Sequence, residues 1–458
     1  MRKIRRLLIA LCGWIAIQGI CNAADWPTYR HDAHRSGITD EALTLPLKQA
    51  WVHICLQAPR PAWPLPAVLQ PRSGTVPLNP SLTFDRVFQP VIANGKLYFG
   101  SSANDTLYCL DARTGETLWH FTTEGPIRTA PTIVDNRLFF GSDDGALYGV
   151  DAESGQLFSL HNAVPFATRL PGNERIISLL PVRGGPAALD GVIYYTAGIF
   201  PSQGVYLCAI DTRDGRNPLV WKRQLDVSCQ GHLLATQSHL YVPTGRTAPA
   251  VFDRKTGEPL GKMEGLSGCF ALVTDDLLVH GPGETGQMYI DAAGKRERIA
   301  STSAKQMIVH GPITYVLQEN SLTAIDRDRY LEITKQISAI ETVRRDRRTE
   351  EQLRQIADLR AEIKKCRKWE TACESLSEMI IAGDILFAGG RNQVLAFDTK
   401  KGEIMWKAVV DGDACGLAVA DGSLFVSTDR GIIYSFRADA KETNVIKVEA
   451  DTEPYPAD

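Results

Sequence analysis

One pattern recurs along this chain and constrains its fold more than any other. It consists of two short runs of alternating apolar and polar residues, followed by a turn that contains aspartate and glycine. The clearest copies cover residues 95–119 and 136–158. Alternation with a period of two is typical of half-buried strands, and aspartate with glycine favours a tight turn. Weaker copies follow at residues 191–215, 238–260, 276–295, 313–328, 384–406 and 422–439.

The residues that anchor these turns show that the repeat is regular. Equivalent positions hold Asp111, Asp151, Asp211, Asp253, Asp291, Asp326 and Asp398, with Arg437 in the last copy. Five of the seven spacings lie between 35 and 42 residues. A period near 40 suits four strands per repeat, and such sheets bury both faces only by stacking around a ring. The sequence therefore predicts an all-β, eight-bladed β-propeller with four-stranded blades over residues 91–440.

Tryptophans follow the turn on the fourth strand of several copies, as Trp119, Trp221 and Trp406. A large flat side chain at this place can wedge between neighbouring blades, so we expect a structural docking role. Residues 48–52, which include Trp51, resemble a fourth strand without its own partners. We expect this clasp strand to complete the last blade and remove an open edge. Residues 24–90 would then hold the clasp and a proline-rich loop, and residues 441–458 a tail.

The segment 330–372 interrupts the strand pattern. Apolar residues recur there at helical spacing in two stripes, and Thr349 with Gln352 forms a plausible capping box. We interpret the segment as an α-helical hairpin inserted into the sixth blade. Two roles stay open: a solvated decoration that packs on itself, or an arm that binds a partner.

The first residues predict export. Basic residues precede an apolar run from Leu7 to Ile20, which is too short to span a bilayer, and small residues follow. We predict a signal peptide over residues 1–23, a periplasmic or secreted protein, and no transmembrane segment after cleavage. Removal of four basic residues leaves 46 basic against 53 acidic residues, a net charge of −7. That charge makes nucleic acid a poor partner.

The sequence holds none of the common catalytic or metal motifs. No CxxC pair accompanies the eight cysteines that remain after residue 23, so zinc ribbons and thioredoxin-like chemistry find no support. His31 and His34 lie three residues apart without assignable further ligands, and a surface or capping role is favoured over a metal. We therefore predict no catalytic residues and no metal site.

A set of polar residues marks one rim of the expected ring. They lie seven residues before the turn anchors, on loops between second and third strands, where propellers commonly bind ligands. The set is Asn104, Asp144, Arg246, Arg391 and Arg430. Three arginines near a channel mouth could bind an anionic group. Ordinary exposed turn residues explain the set equally well, so both interpretations stay open.

The pattern from Asp111 to Trp119, Asp-x-x-Thr-Gly-x-x-x-Trp, resembles the tryptophan-docking motif of the pyrroloquinoline-quinone-like (quinoprotein-type) propeller repeat family. That family includes quinone-dependent dehydrogenases and the propeller lipoprotein of the outer-membrane assembly machinery. Residues 25–32, 61–64, 181–186 and 252–257 resemble, more closely, a planctomycete-type group of exported propellers.

The resemblance implies two functions. The favoured one is a non-catalytic, monomeric scaffold in the cell envelope that binds a protein or a small anionic ligand. The alternative is an alcohol or sugar dehydrogenase that uses pyrroloquinoline quinone (PQQ) with calcium. In the family that activity requires a calcium-holding acid and amide, a catalytic aspartate and quinone-stacking residues, and none can be placed in this sequence. The adjacent cysteine pair of many such enzymes is also missing, so no cofactor is predicted.

Overall fold

A computed structural model describes residues 24–63, 82–165, 168–172, 175–283 and 286–448. Within these ranges the chain is nearly all β, with two α-helices and two short 3₁₀ helices, Pro201–Gln203 and Arg345–Arg347. The predicted signal peptide, most of the proline-rich loop and the end of the tail lie outside the described residues. No helix in the described ranges is long and apolar enough to cross a membrane.

Six sheets follow one another along the chain, each with four consecutive antiparallel strands. In chain order, sheet 1 contains Val91–Ala93, Lys96–Gly100, Thr106–Asp111 and Thr117–Thr122, and sheet 2 contains Thr132–Val134, Arg137–Gly141, Ala146–Asp151 and Leu157–Asn162. Sheet 3 contains Gly184–Leu189, Val192–Ala197, Tyr206–Asp211 and Leu219–Gln224, and sheet 4 contains Leu234–Ala235, His239–Val242, Ala250–Asp253 and Pro259–Lys262. Sheet 5 contains Phe270–Val273, Leu277–Gly281, Gln287–Ala292 and Arg298–Ser303, and sheet 6 contains Gln306–His310, Ile313–Leu317, Ser321–Asp326 and Arg367–Ala372. Gly231–His232 adds a parallel strand to sheet 3, and Arg169–Gly172 with Arg175–Ser178 forms a separate ribbon.

Sheet 7 contains eight strands and joins the two ends of the chain. Their order across the sheet is Ile38–Thr39, Leu376–Ala382, Ile385–Asp398, Ile404–Ala420, Ser423–Thr428, Ile432–Arg437, Lys48–Ile54 and Asn444–Lys447. The clasp strand Lys48–Ile54 pairs antiparallel with Ile432–Arg437, at the place expected from the sequence. These four-stranded sheets form a β-propeller, and the prediction of an all-β propeller is confirmed at this level.

The turn chemistry of the repeat is visible at Asp111. Its Oδ1 accepts hydrogen bonds from the backbone N–H groups of Arg113 (2.9 Å) and Thr114 (2.7 Å). Gly115 then adopts a φ of 80°, which favours glycine. A Cβ on Gly115 would also lie only 2.7 Å from the ring of Trp51. Both the backbone conformation and the close contact therefore require glycine here.

One anchor predicted from the sequence is wrong by one residue. In sheet 5 the backbone N–H that closes the turn belongs to Ala292, which donates to the carbonyl of Glu297 (2.9 Å), as Asp111 does to Glu116 in sheet 1 (2.8 Å). Asp291 is instead buried and pairs with His280 and Arg298. The turn contains no aspartate, so the prediction placed the anchor on the nearest aspartate, Asp291, instead of on Ala292.

Tryptophans on the fourth strands lie against glycines in the turn of the next sheet. A Cβ on Gly155 would lie 2.7 Å from Trp119, and the same holds for Gly257 and Trp221. Trp369 occupies this place in sheet 6, against Gly402, and was missed because the helical insertion hides the repeat. Trp406 instead donates its Nε1–H to the carbonyl of Leu47 (2.8 Å). The equivalent position in sheets 2, 4 and 5 holds Ser159, Gly261 and Ala300.

The helical hairpin lies between the third and fourth strands of sheet 6. It consists of α1 (Arg327–Glu341) and α2 (Glu350–Lys365), and the predicted capping box of Thr349 and Gln352 is present. The backbone N–H of Asp326 donates to the carbonyl of Cys366 (2.8 Å), so the two ends of the insertion meet. The insertion ends earlier than the predicted residue 372, because Arg367–Ala372 is the fourth strand.

Candidate functional site

One short N-terminal segment crosses the centre of the ring. We call residues 26–37 the plug. Their backbone or side-chain atoms form hydrogen bonds with residues on or next to the first strands of sheets 1, 2, 3, 4, 5 and 7, at Ile92, Ile133, Pro186, Ala235, Val273 and Ile381. First strands of six sheets can meet one twelve-residue segment only if they converge around it. The plug therefore closes the central channel near the ends of those strands.

Two arginines hold the plug in place. Arg35 is fully buried and donates to five oxygens, including the carbonyls of Leu233 (2.9 Å) and Pro186 (2.8 Å). Arg30 donates to Glu378 (2.5 Å) and to the carbonyl of Met379 (3.2 Å). Buried charges are tolerated when they are paired and hydrogen-bonded, although Nη2 of Arg30 has no hydrogen-bond partner among the described residues. The plug is therefore an integral part of the core.

Two further segments lie over the other face of the ring, away from the plug. This face carries the loops between second and third strands. We call residues 60–63 and 82–90 the cover. The backbone N–H of Arg60 donates to Ser102 Oγ (3.0 Å). Trp63 Nε1–H donates to Gln230 Oε1 (2.5 Å), and Val87 packs near Gly416. The cover thus contacts sheets on opposite sides of the ring.

A buried ionic network fixes the cover to sheets 1 and 2. Arg128 donates to Asp85 of the cover (3.0 Å) and to Asp143 (2.6 Å), and Arg183 donates twice to Asp143 (2.8 Å each). Burial works to raise the pKa of Asp143, but the two arginines outweigh it and hold that pKa below its usual range. Burial raises the pKa of Asp85, and the charges of Arg128 and Arg183 oppose that rise without outweighing it. Two cations and two carboxylates leave the network neutral.

The plug and the cover enclose a pocket of about 320 Å³, which we call the central pocket. It lies at the beginning of the first strands of sheets 5, 6 and 7. Its lining is largely polar and comprises Tyr29, Thr83, Phe84, Arg86, Val87, Gln89, His232, Cys269, Phe270, Gly281, Pro282, Gly286, Ser303, Ala304, Lys305, Gln306, Glu319, Ser377, Glu378 and Cys415. Volumes of this order suit a small ligand.

Glu378 is the most unusual group in this lining. Its side chain is only 12% exposed, and its Oε1 accepts hydrogen bonds from Arg30 and from Gln306, both at 2.5 Å. Gln306 is itself fixed by the backbone N–H of Met379 (2.5 Å). Burial raises the pKa of Glu378, and the charge of Arg30 opposes that rise. A held carboxyl group with a perturbed pKa in a cleft is a typical functional candidate.

The other polar groups give the pocket mixed charge. Lys305 pairs with Glu319 (3.0 Å), and Arg86 pairs with Asp413 (3.3 Å). Burial raises the pKa of Cys269 and of Cys415 to about 12, so both remain thiols at neutral pH and are poor nucleophiles.

The remaining wall is aromatic. Tyr29 of the plug stacks on His232, with ring centroids 3.7 Å apart. Burial lowers the pKa of His232 well below its usual value, so its ring is neutral. The pair gives the polar pocket one flat surface on which a ligand can stack.

Two of the predicted rim residues hold their own loops. Asn104 donates to the hydroxyl of Tyr108 (2.6 Å). Asp144 accepts from the hydroxyl of Tyr148 (2.6 Å) and from the backbone N–H groups of Glu124 and Ala146. Both residues lie four positions before a tyrosine and do the same structural work in sheets 1 and 2.

The three predicted arginines have different neighbours. Arg391 lies 3.9 Å from Asp413, the carboxylate that also pairs with Arg86 of the central pocket. Arg430 pairs with Asp411 (2.9 Å). Arg246 lines a different cavity, below Trp63 of the cover. Of the predicted set, only Arg391 comes near the central pocket, and an anion-binding role for the set stays a prediction.

Sequence reasoning missed the plug, the cover and Glu378. The only sequence signal for the plug was the motif 25–32, noted for its resemblance alone. His34 accepts a hydrogen bond through its backbone, from Val273, and His31 lies 3.6 Å from Asp32. The described residues contain no group of three or more His, Cys, Asp or Glu that could hold a metal ion.

The central pocket is a poor fit to a quinone with calcium. Calcium takes six to eight oxygen ligands, mostly carboxylates and carbonyls, whereas the two carboxylates in this lining, Glu319 and Glu378, are already paired with Lys305 and Arg30. The two cysteines in the lining, Cys269 and Cys415, are far apart in sequence and free. We derive no chemical step through such a cofactor.

Comparison with known proteins agrees with the fold. A family model described as outer membrane protein assembly factor BamB matches residues 67–163 and 361–446. No curated protein matches the chain. The predicted resemblance to the quinoprotein-type repeat family is thereby confirmed, while the closer likeness to planctomycete-type propellers stays a prediction.

Several solved structures have a similar fold. The quinohemoprotein alcohol dehydrogenase from Comamonas testosteroni superposes with a TM-score of 0.58 and 13% identity, over 92% of this chain and 82% of that chain. The quinohemoprotein alcohol dehydrogenase ADHIIG from Pseudomonas putida HK5 gives 0.60 and 11%, over 95% and 83%. The computationally designed protein Ika8 gives 0.56 and 11%, over 79% and 98%. Because two of these are named as enzymes and one as a design, the likeness carries the fold and not an activity.

Proposed function

We propose that this protein is a non-catalytic propeller that binds a small polar ligand in its central pocket and acts as a scaffold in the cell envelope. The observation that carries the proposal is Glu378, a buried carboxyl group held by Arg30 and Gln306 on the wall of a pocket between plug and cover. A periplasmic or secreted location rests on the predicted signal peptide, and binding to an envelope protein remains compatible with it.

We also propose that the ring has eight blades. Six separate four-stranded sheets account for six of them. In sheet 7, the strand Ile404–Ala420 pairs with Ile385–Asp398 through its first part and with Ser423–Thr428 through its last part. This long strand therefore connects two four-stranded units, which support the seventh and eighth blades.

The lining indicates the chemistry of the ligand. Oε1 of Glu378 is held by Arg30 and Gln306, so Glu378 offers its Oε2 to a cationic or hydrogen-bond-donating group. Lys305 and Arg86, which are paired with Glu319 and Asp413, add positive charge that attracts a carboxylate. Tyr29 and His232 add a flat wall. A small zwitterion, such as a free amino acid or the end of a peptide, matches this arrangement better than a purely anionic ligand. No group in the lining has the arrangement of an activated nucleophile beside a base.

A binding experiment with matched variants tests the proposal. Thermal unfolding of the mature protein would be followed with each of the twenty free amino acids and with dipeptides blocked at either end. A ligand at one hundred times its dissociation constant stabilises the folded state by about 2.7 kcal/mol. We expect at least one probe to raise the midpoint, and the Glu378→Gln variant to lose that rise. Glu374→Gln, an exposed residue outside the lining, is the control and should keep it.

A second variant guards against a folding defect in Glu378→Gln. Ser377→Tyr fills the pocket from its wall without removing the partner of Arg30, and it should also abolish the rise. The proposal fails if no probe raises the midpoint, or if the rise survives in Ser377→Tyr. Reduction of a dye by ethanol or glucose after addition of PQQ and Ca²⁺ would replace it with the dehydrogenase alternative.

A further inference from the structure

A second cavity lies between sheets 5 and 6, away from the central pocket, beneath the helical hairpin. It has a volume of about 200 Å³, and we call it the hairpin cavity. At this interface Ala300 stands where other sheets carry a docking tryptophan. The hairpin also replaces the turn against which such a tryptophan would lie. Two local departures from the repeat thus meet at one place and leave a gap.

The floor of the hairpin cavity is apolar. Val279 and Ile290 of sheet 5 face Met307 and Val316 of sheet 6, and all four are at most 3% exposed. Tyr330 of α1 packs against the same cluster. Apolar cavities of about 150 Å³ stay free of water and bind small hydrocarbons. A cavity of this size and lining can therefore hold a short hydrocarbon chain or a single ring.

The mouth is cationic. The lining contains Arg327, Lys364 and Arg367 but no Asp or Glu. Lys364 is exposed and has no ion-pair partner among the described residues. Arg327 is paired with Asp276 through Nη2, yet its Nε is buried without a hydrogen-bond partner in the described part of the chain. Arg367 is paired with Glu370, so an anionic group at the mouth would meet the unpaired charge of Lys364 and the unused Nε–H of Arg327.

The cavity wall also contains a buried hydroxyl. Thr323 lines the cavity and is 5% exposed, and its Oγ1 has no hydrogen-bond partner in the described ranges. Thr323 lies near the start of the strand Ser321–Asp326, whereas Arg327 follows the end of that strand, so the two are about 13 Å apart along it. The hydroxyl is therefore separate from the cations at the mouth.

We infer that the hairpin cavity is a binding site for a medium-chain carboxylate, with the hydrocarbon chain between sheets 5 and 6 and the carboxylate at Arg327 and Lys364. The site is independent of the proposed function of the central pocket. It also gives the hairpin a role, since α1 and α2 supply one wall of the cavity and two of its cations.

Calorimetric titration of the mature protein with sodium octanoate tests the inference. We expect saturable binding of one octanoate per chain, with octylammonium at least tenfold weaker because its charge is reversed. Lys364→Glu should weaken octanoate binding about tenfold. Lys365→Glu changes the same charge on an exposed neighbour outside the lining and should leave the affinity within twofold.

A cavity-filling variant separates the chain site from the charge site. Val316→Phe places a ring in the floor and should abolish octanoate binding, with circular dichroism confirming that the variant is folded. The inference is overturned if octanoate does not bind, if octylammonium binds equally well, or if Lys364→Glu and Lys365→Glu behave alike. Lys364-dependent sedimentation with vesicles of anionic phospholipid would show that the chain belongs to a bilayer lipid and not to a free carboxylate.

Discussion

Replacing Trp51 by alanine perturbs the closure of the ring at its most buried tryptophan. Trp51 is fully buried, its Nε1–H donates to the carbonyl of Ala112 (3.0 Å), and its ring covers Gly115 of sheet 1. Truncation of a buried tryptophan costs about 3–5 kcal/mol, and the carbonyl left without its donor adds about 1 kcal/mol. A loss of about 4–6 kcal/mol is a large part of the 5–15 kcal/mol that stabilises a typical domain.

Trp119→Ala is the matched control for this measurement. Trp119 has the same place in sheet 1 and packs on Gly155 in the same way, but it is partly exposed and its Nε1 has no hydrogen-bond partner among the described residues. Its removal leaves no acceptor unsatisfied, so we expect a loss roughly 2 kcal/mol smaller than at Trp51.

Urea unfolding followed by circular dichroism measures the difference. With a dependence of about 3 kcal/mol per molar urea, the midpoint should fall by about 1.5 M for Trp51→Ala and by less than about 1 M for Trp119→Ala. Equal shifts in the two variants, or a larger shift for Trp119→Ala, would refute the reasoning that the clasp tryptophan contributes more than its equivalents in the ring.

Two further predictions concern buried histidines and the buried Arg35. Burial lowers the pKa of three buried histidines, His53, His232 and His280, below 6.5. They bind fewer protons in the folded than in the unfolded state, so their stability is present above pH 6.5 and is lost as the pH falls below it. For His232, whose pKa lies well below 6.5, the loss is about 1 kcal/mol between pH 6.5 and 5.5; a urea midpoint at pH 5.5 as high as at pH 7.5 would contradict this. Arg35→Met removes the donor of the carbonyls of Leu233 and Tyr29 at about 1–3 kcal/mol each, so its urea midpoint should fall by at least about 0.7 M, and an unchanged midpoint would show that the plug is dispensable.

Features that depend on local sequence were predictable. The alternation in residues 95–119 corresponds to the strands Lys96–Gly100 and Thr106–Asp111. In a half-buried strand, successive side chains point alternately to the core and to solvent, so apolar and polar residues alternate in the sequence. The capping box at Thr349 was predictable for the same reason, since both partners lie within one turn of helix. Where a turn lacks its usual residue, as at Ala292, the same local reasoning misplaced the anchor by one.

The candidate site was not predictable because its contacts are distant in sequence. Arg30 and Glu378 are 348 residues apart, and neither belongs to the repeated pattern. The repeat predicts where each turn lies but not which face a non-repeating segment covers. The rim residues were chosen by equivalence, and Asn104 and Asp144 turn towards tyrosines of their own sheets. The proposed site of this propeller depends on segments outside the repeat.

The N-terminal position of the plug and the clasp sets an order of events during folding. Residues 26–54 leave the ribosome early, yet their partners Glu378, Met379 and Ile432–Arg437 are among the last to be synthesised. Contacts between distant parts of a chain form slowly, and strand edges that have not yet paired with their partner strands are prone to aggregation. The early sheets can form one by one, but the ring cannot lock until the whole chain is available. A truncation before Ile432 would leave the clasp strand at the other end of the chain without its antiparallel partner.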